Sequence, residues 1–287
     1  MNTLEKLTAE DKGNYEVYLN RMSQSCAVSS KHLIPFYTIG KKTILDVGCA
    51  DGTLMKAIKE VNPEARVVGI DLNQNAVDIA CAAGLEAYKL SLEEVASFCE
   101  YQFDCVIFSS VLHEISSYAT ANRFSALPIR ETLKFAYDLL SKDGIIIIRD
   151  GLMDNNSEKI CTAKFTNPND EKWFFKFVNE FKYPYFDYNY HNMKGAVTCC
   201  TELMQEFLAT WTWGEKSWHR EIQEKFCILT EQSWMKVVNG VGFEDIAFFK
   251  SKEDYPKFLT PKVKLYGKNG KEFFPYMTCT IVAKKNS

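Results

Sequence analysis

Between residues 43 and 150, short apolar runs alternate with helical patterns. Thr43 to Val47 reads as a buried strand and Asp51 to Glu60 as a helix. Arg66 to Asp71 is the second strand, and the helix from Asn75 to Ala83 stops near Gly84. A weaker strand, Glu86 to Leu90, precedes a helix over Leu92 to Phe98; Phe103 to Ser109 is a strong fourth strand. Ile129, Leu133, Ala136 and Leu140 then recur at helical spacing, with Pro128 in the opening turn and Gly144 just past the end. Four isoleucines in a row, Ile145 to Ile148, predict a central strand buried on both faces. This rhythm predicts an α/β fold: a doubly wound, mostly parallel sheet covered by helices.

After residue 150 the rhythm breaks. Residues 151 to about 230 show helical and loop-like stretches without clear strand alternation. A helix over Gln232 to Val241, a strand over Asp245 to Lys250 and a last strand over Met277 to Ala283 follow. No long helix joins those two strands, so the last one is expected to run antiparallel. The expected organisation is an N-terminal helical segment (1–42), a sheet built from 43–150 and 231–287, and a mainly helical cap inserted at 151–230.

Composition sharpens the account of the cap. Aromatics make up 14% of the 287 residues, yet ten of them fall in the eighteen positions from Trp173 to Tyr190. Phe174, Phe177 and Phe181 are spaced for one face of a cap helix packed on a core. The less regular stretch from Tyr183 to Tyr190 predicts a substrate wall, with Tyr185, Tyr188 and His191 as candidate contacts. The net charge of −3 argues against nucleic-acid coating by bulk charge. A local patch of Lys257, Lys262, Lys264, Lys268 and Lys271 keeps RNA open as a partner. The ten cysteines contain no C-x-x-C pair and the four histidines lack zinc spacing, so no metal is expected. No run of about 18 apolar residues predicts a membrane span. The polar start, MNTLEKLTAEDKG, lacks a signal-peptide core, and a cytoplasmic location is expected.

The chemistry gathers at I-L-D-V-G-C-A-D-G-T-L, residues 44 to 54. A glycine-rich strand-to-helix turn brings a ligand close to the backbone and the helix N-terminus. Asp71 ends the second strand 25 positions after Asp46, where an acid accepts ribose hydroxyls. A nicotinamide dehydrogenase would need G-x-G-x-x-G; here Gly48, Ala50 and Gly52 stand at i, i+2 and i+4. Asp46, two residues before the first glycine, would repel a pyrophosphate but suits an ammonium.

With these residues the sequence resembles the class I S-adenosylmethionine (SAM)-dependent methyltransferases. LDVGCADGTL, VVGIDLNQNAV, FDCVIFSSVLHEI and LLSKDGIIIIRDG match four of their motifs in order, over about residues 40 to 151. Ala50 departs from the family's usual glycine. The resemblance implies that Gly48, Cys49, Ala50 and Gly52 pack under the methionine and ribose. It further implies that Asp46 orients the amine, Asp71 holds the ribose, Leu72 covers the adenine, and Leu90 and Ser91 meet its edge. Ser109 and Ser110 would line the methionine end, and Arg21 would grip the carboxylate.

Such an enzyme aligns an acceptor with the activated methyl, excludes water and manages one proton. His113, after the fourth strand, is the candidate catalytic residue, since histidine titrates near neutral pH. Glu114 and Arg149 are candidate substrate contacts at the same rim. A small organic acceptor is the expected substrate, RNA the alternative, and a non-catalytic SAM-binding protein the third reading.

Overall fold

The computed structural model describes residues 30–99, 101–155, 158–181, 183, 187–252 and 255–286. The expected segment 1–42 lies largely outside them, as do Arg21 and Tyr185. After a short helix, α1 (Ile34–Tyr37), the chain runs β1 (Thr43–Val47), α2 (Thr53–Val61), β2 (Arg66–Asp71), α3 (Gln74–Ala82) and β3 (Glu86–Lys89). It continues through α4 (Leu92–Phe98), β4 (Phe103–Ser109), α5 (Leu112–Tyr118), α6 (Ala126–Leu139) and β5 (Leu140–Met153). The insert holds β6 (Ile160–Phe165), α7 (Glu171–Glu180), β7 (Tyr190–Met193), β8 (Ala196–Cys200), α8 (Thr201–Trp213) and α9 (Trp218–Glu221). Then follow β9 (Leu229–Thr230), α10 (Glu231–Val241), β10 (Phe243–Ser251), α11 (Pro256–Leu259), β11 (Val263–Gly267), β12 (Glu272–Phe273) and β13 (Thr278–Lys285).

The main sheet has the order β10-β13-β5-β4-β1-β2-β3. Strands β1 to β5 pair in parallel, and β13 runs antiparallel between β5 and β10, as expected. Leu45, Val106, Ile107 and Ile146 to Ile148 are fully buried, which is why these runs read as continuous apolar strands. Chain order reverses beside β1: β2 and β3 build outward on one side, and β4 returns to the other. The crevice at the C-terminal ends of β1 and β4 is therefore the place for a ligand.

The stripe on α6 buries Ile129, Leu133 and Ala136. Leu140, expected within that helix, instead begins β5, a fourteen-residue strand; Gly144 lies past the helix end, as expected, inside that strand. The extra length matters, because Arg149 to Gly151 stay paired with β13 while Leu152 and Met153 run on past them into contact with the segment after the insert's helices. There β9 pairs with Leu152 and Met153.

The insert is helical and aromatic-rich, with Phe174 and Phe177 of α7 fully buried and Phe181 nearly so. It also holds a second, antiparallel sheet in the order β12-β11-β6-β8-β7, where no strand alternation was read. Three of its inward positions are small, Cys161, Ala163 and Cys199, beside the larger Phe165 and Val197. Small residues carry little β signal, and β7 is exposed throughout. The stretch 263–273, expected with the main sheet, pairs with β6 through β11 and belongs to this second sheet. No helix among the described residues is long and apolar enough to cross a membrane.

Candidate active site

The turn after β1 is shaped by backbone. Gly48 has φ +74° and Gly52, which caps α2, has φ +78°. A Cβ on Gly48 would lie 2.8 Å from Val111 Cγ2, so glycine lets this turn meet the start of α5. Ala50 also takes positive φ, +48°, held by its N–H donating to Asp71 Oδ2 at 3.0 Å. Asp71 Oδ1 accepts from Asn73 N at 2.8 Å, so one carboxylate ties the two turns together. Burial pushes the Asp71 carboxyl above its usual range against those donors and the positive charge of Arg220.

Asp46 sits one turn deeper, 2% exposed. Burial, with Asp71 adding to it and Lys31 opposing, lifts its carboxyl to about 7. Asp46 Oδ2 and Ser109 Oγ are buried and have no hydrogen-bond partner among the described residues. Ser110, at φ +61°, accepts from Arg149 Nη1 at 2.5 Å. Leu72 is 38% exposed at the mouth of the crevice. Ser91 is committed elsewhere: its hydroxyl caps α4 in a reciprocal box with Glu94, and Leu90 packs on the core.

His113 lies in the first turn of α5, 6% exposed. Asp150, from the tail of β5, holds it by an Nδ1 to Oδ1 contact of 2.8 Å. The other Asp150 oxygen accepts from Leu112 N and His113 N, which caps the helix. From the insert, Glu224 Oε2 faces His113 Nε2 at 3.6 Å, and the Phe226 ring packs 5.0 Å from the imidazole. Burial opposes charge on His113, but Asp150 and Glu224 outweigh it and raise its pKa well above the usual histidine value. Burial likewise opposes ionisation of Asp150 and Glu224, and His113 overcomes it in both, with Arg220 and Tyr118 helping Glu224. Tyr118 donates to Glu224 Oε1 at 2.7 Å. Arg220 lies 3.6 Å from Glu114 and from Glu224. Burial, then the charge of Glu224, pushes Glu114 to about 7.

The structure thus brings together Asp46, the Gly48–Gly52 turn, Asp71, Ser109, Ser110, His113, Glu114 and Arg149. It does not bring in His191, which is exposed on β7, the edge strand of the second sheet. Tyr188 donates to the Tyr183 carbonyl at 2.7 Å, and burial pushes its hydroxyl up to about 12. Sequence reasoning missed Glu224, Tyr118, Arg220 and Glu221. W-H-R-E-I-Q-E reads as a charged, solvated face, yet all three acids and bases at 220, 221 and 224 are buried. The available signal was Trp218, Ile222 and Phe226, an apolar series four residues apart.

A methyltransferase-domain family model matches residues 40–225, well over half of the chain. The chain belongs to the class I SAM-dependent methyltransferase family. A comparison with curated proteins finds no match. Among solved structures, human N-acetylserotonin methyltransferase, in complex with SAM, is similar at 13% identity and TM-score 0.55, over 98% of this chain and 59% of that one. An O-methyltransferase family protein from Burkholderia thailandensis is similar at 13% identity and TM-score 0.53, over 99% and 63%. The chain thus spans about three fifths of the length of these two proteins.

The crevice of this methyltransferase fits its cofactor. The orphaned oxygens of Asp46 and Ser109 are buried polar atoms awaiting partners, a state that costs free energy unless a ligand satisfies them. An acid suits the methionine ammonium, and Asp71 keeps acceptor capacity for ribose hydroxyls beyond its backbone donors at Ala50, Leu72 and Asn73.

Proposed function

We propose that the enzyme methylates a small organic molecule and that His113 acts at the methyl acceptor. The observation that carries this reading is the enclosure of His113 beneath Glu224 and Phe226 of the insert. A reacting group under a cap favours an acceptor that fits inside and leaves water out. Aromatic rings continue the wall: Phe124 meets Tyr183 edge-on at 5.6 Å, and Lys225 lies over the Tyr183 ring. SAM supplies a methyl already activated on sulfonium. The chain supplies alignment and a path for the acceptor's proton. Asp46 and Asp71 hold the cofactor's amine and ribose; Asp150 fixes the orientation of His113. The proton enters a network of imidazole and carboxylates in which Glu114 exchanges near neutral pH.

The test is His113→Ala. Turnover falls about 100-fold or more while SAM affinity stays at the wild-type value. Unchanged turnover ends the role of His113. RNA as acceptor has one observation in its favour. Lys164 and Lys264 are exposed and stand directly opposite each other across β6 and β11; Glu272, 3.4 Å from Lys264, offsets one charge and leaves Lys164, over the Tyr266 ring, for a phosphate. Salt-sensitive binding of total RNA, lost in a Lys164→Ala, Lys264→Ala double variant, would favour it over the small acceptor.

A further inference from the structure

Three buried carboxylates, Asp150, Glu221 and Glu224, and the half-buried Glu114 gather about two cationic side chains, His113 and Arg220, where α5 meets the 218–224 segment. Handling one proton does not require so many acids. We propose that His113, Glu114 and Glu224, with Glu221 beside them, bind a divalent transition-metal cation at this junction of sheet and insert.

The geometry supports it. One donor atom from each of His113, Glu114 and Glu224 lies within 4.8 Å of the others. His113 Nε2 and Glu224 Oε2 are 3.6 Å apart, long for a hydrogen bond. The spacing is close to the ~3.4 Å between two ligands of a tetrahedral ion with bonds near 2.1 Å. A second observation points the same way. Glu221 is 1% exposed, its Oε1 has no hydrogen-bond partner among the described residues, and it lies within electrostatic reach of Glu224, Arg220, Glu114 and His113. A buried orphan carboxylate is costly unless a cation meets it.

The supporting positions are already filled. Asp150 accepts from Nδ1, so an ion that displaces the Nε2 proton meets a lone pair there, the carboxylate–histidine arrangement found behind metal ligands. Tyr118 orients Glu224 through Oε1. Arg220 stands 3.6 Å from Glu114 and Glu224, outside hydrogen-bond range, and its charge completes the balance. Four ionised carboxylates carry −4; a divalent ion plus Arg220 carry +3 against them, where protonated His113 plus Arg220 carry +2. One imidazole and several carboxylates suit Mn²⁺, Fe²⁺, Co²⁺ or Zn²⁺. The consequence for catalysis rests on the reading that His113 acts at the acceptor: it then acts as the ligand of an ion that polarises the acceptor atom. Binding of the ion does not rest on that reading.

The experiment titrates untagged, chelator-stripped full chain with MnCl₂ and follows free Mn²⁺ by electron paramagnetic resonance. SAM affinity is measured beside it by calorimetry. The expected result is a single saturable site, about tenfold weaker in Asp150→Asn and lost in Glu114→Gln and Glu224→Gln variants that still bind SAM. If those variants lose SAM binding as well, Glu221→Gln replaces them, since its Oε1 makes no bond to lose; it too must weaken Mn²⁺. Absence of saturable binding below about 1 mM overturns the proposal. So does wild-type Mn²⁺ affinity in these variants. Either failure leaves the SAM site and the His113→Ala test standing.

Discussion

The two ligand-facing regions of this enzyme are built by different means. In the SAM crevice, position comes from backbone: strand ends at β1, β2 and β4, glycines at positive φ, and one carboxylate, Asp71, that pins a turn. Around His113, position comes from charged side chains. Asp150 and Glu224 hold the imidazole from opposite sides, and Glu206 accepts from the Phe226 and Cys227 N–H groups to hold the segment that covers it. Backbone geometry serves a cofactor whose shape does not vary. A buried ion network is expensive to assemble and is broken by loss of one partner. It suits the role proposed for this site, in which one acceptor is recognised and one proton moved.

The junction between the regions is the place to break this contrast hardest. A Cβ on Gly151 would lie 1.8 Å from the Phe226 carbonyl oxygen, a backbone atom that cannot step aside. Gly151→Ala therefore destabilises the protein by about 3 kcal/mol or more and exposes His113. Chemical denaturation measures the loss, and an unchanged midpoint would mean that this packing does not hold the segment. Next in size is Asp71→Ala, which removes both the ribose acceptor and the tie to Ala50. SAM binding weakens about 10- to 100-fold, and most of the thermal shift with SAM disappears. If calorimetry finds native affinity, the crevice does not depend on that carboxylate.

A smaller effect separates binding from stability. The Asp46 carboxyl, at about 7, lies above its value in an unfolded chain. A raised acid contributes most to folding at low pH, and that contribution is lost as pH rises to 7. SAM's ammonium favours the ionised form, so binding below pH 7 expels a proton and weakens by about tenfold per pH unit. Asp46→Asn should raise the apo melting temperature at pH 8 by about a few degrees while SAM affinity drops. Calorimetry in buffers of different ionisation heat reads the proton directly. A pH-independent affinity between 5 and 7 would contradict this role.

The same division explains what could be read from sequence. The main sheet was legible because its strands are apolar runs and its turns carry glycine and acid at fixed places: Asp46, Gly48, Gly52 and Asp71. The antiparallel last strand followed from the missing crossover helix. The second sheet was not legible, because Cys161, Ala163 and Cys199 are too small to announce a strand and its last partners come from residues 263–273. His113 was found because it follows a recognisable strand. Glu224 was not, because its burial depends on packing between segments more than a hundred residues apart. Charge in a short helical segment reads as solvated unless tertiary structure is known.

The most direct test of the account gives the enzyme methyl-labelled SAM and a cell extract split into small-molecule, RNA and protein fractions. The account predicts label in the small-molecule fraction, and its loss with His113→Ala while SAM still binds. Label confined to RNA or protein would contradict it.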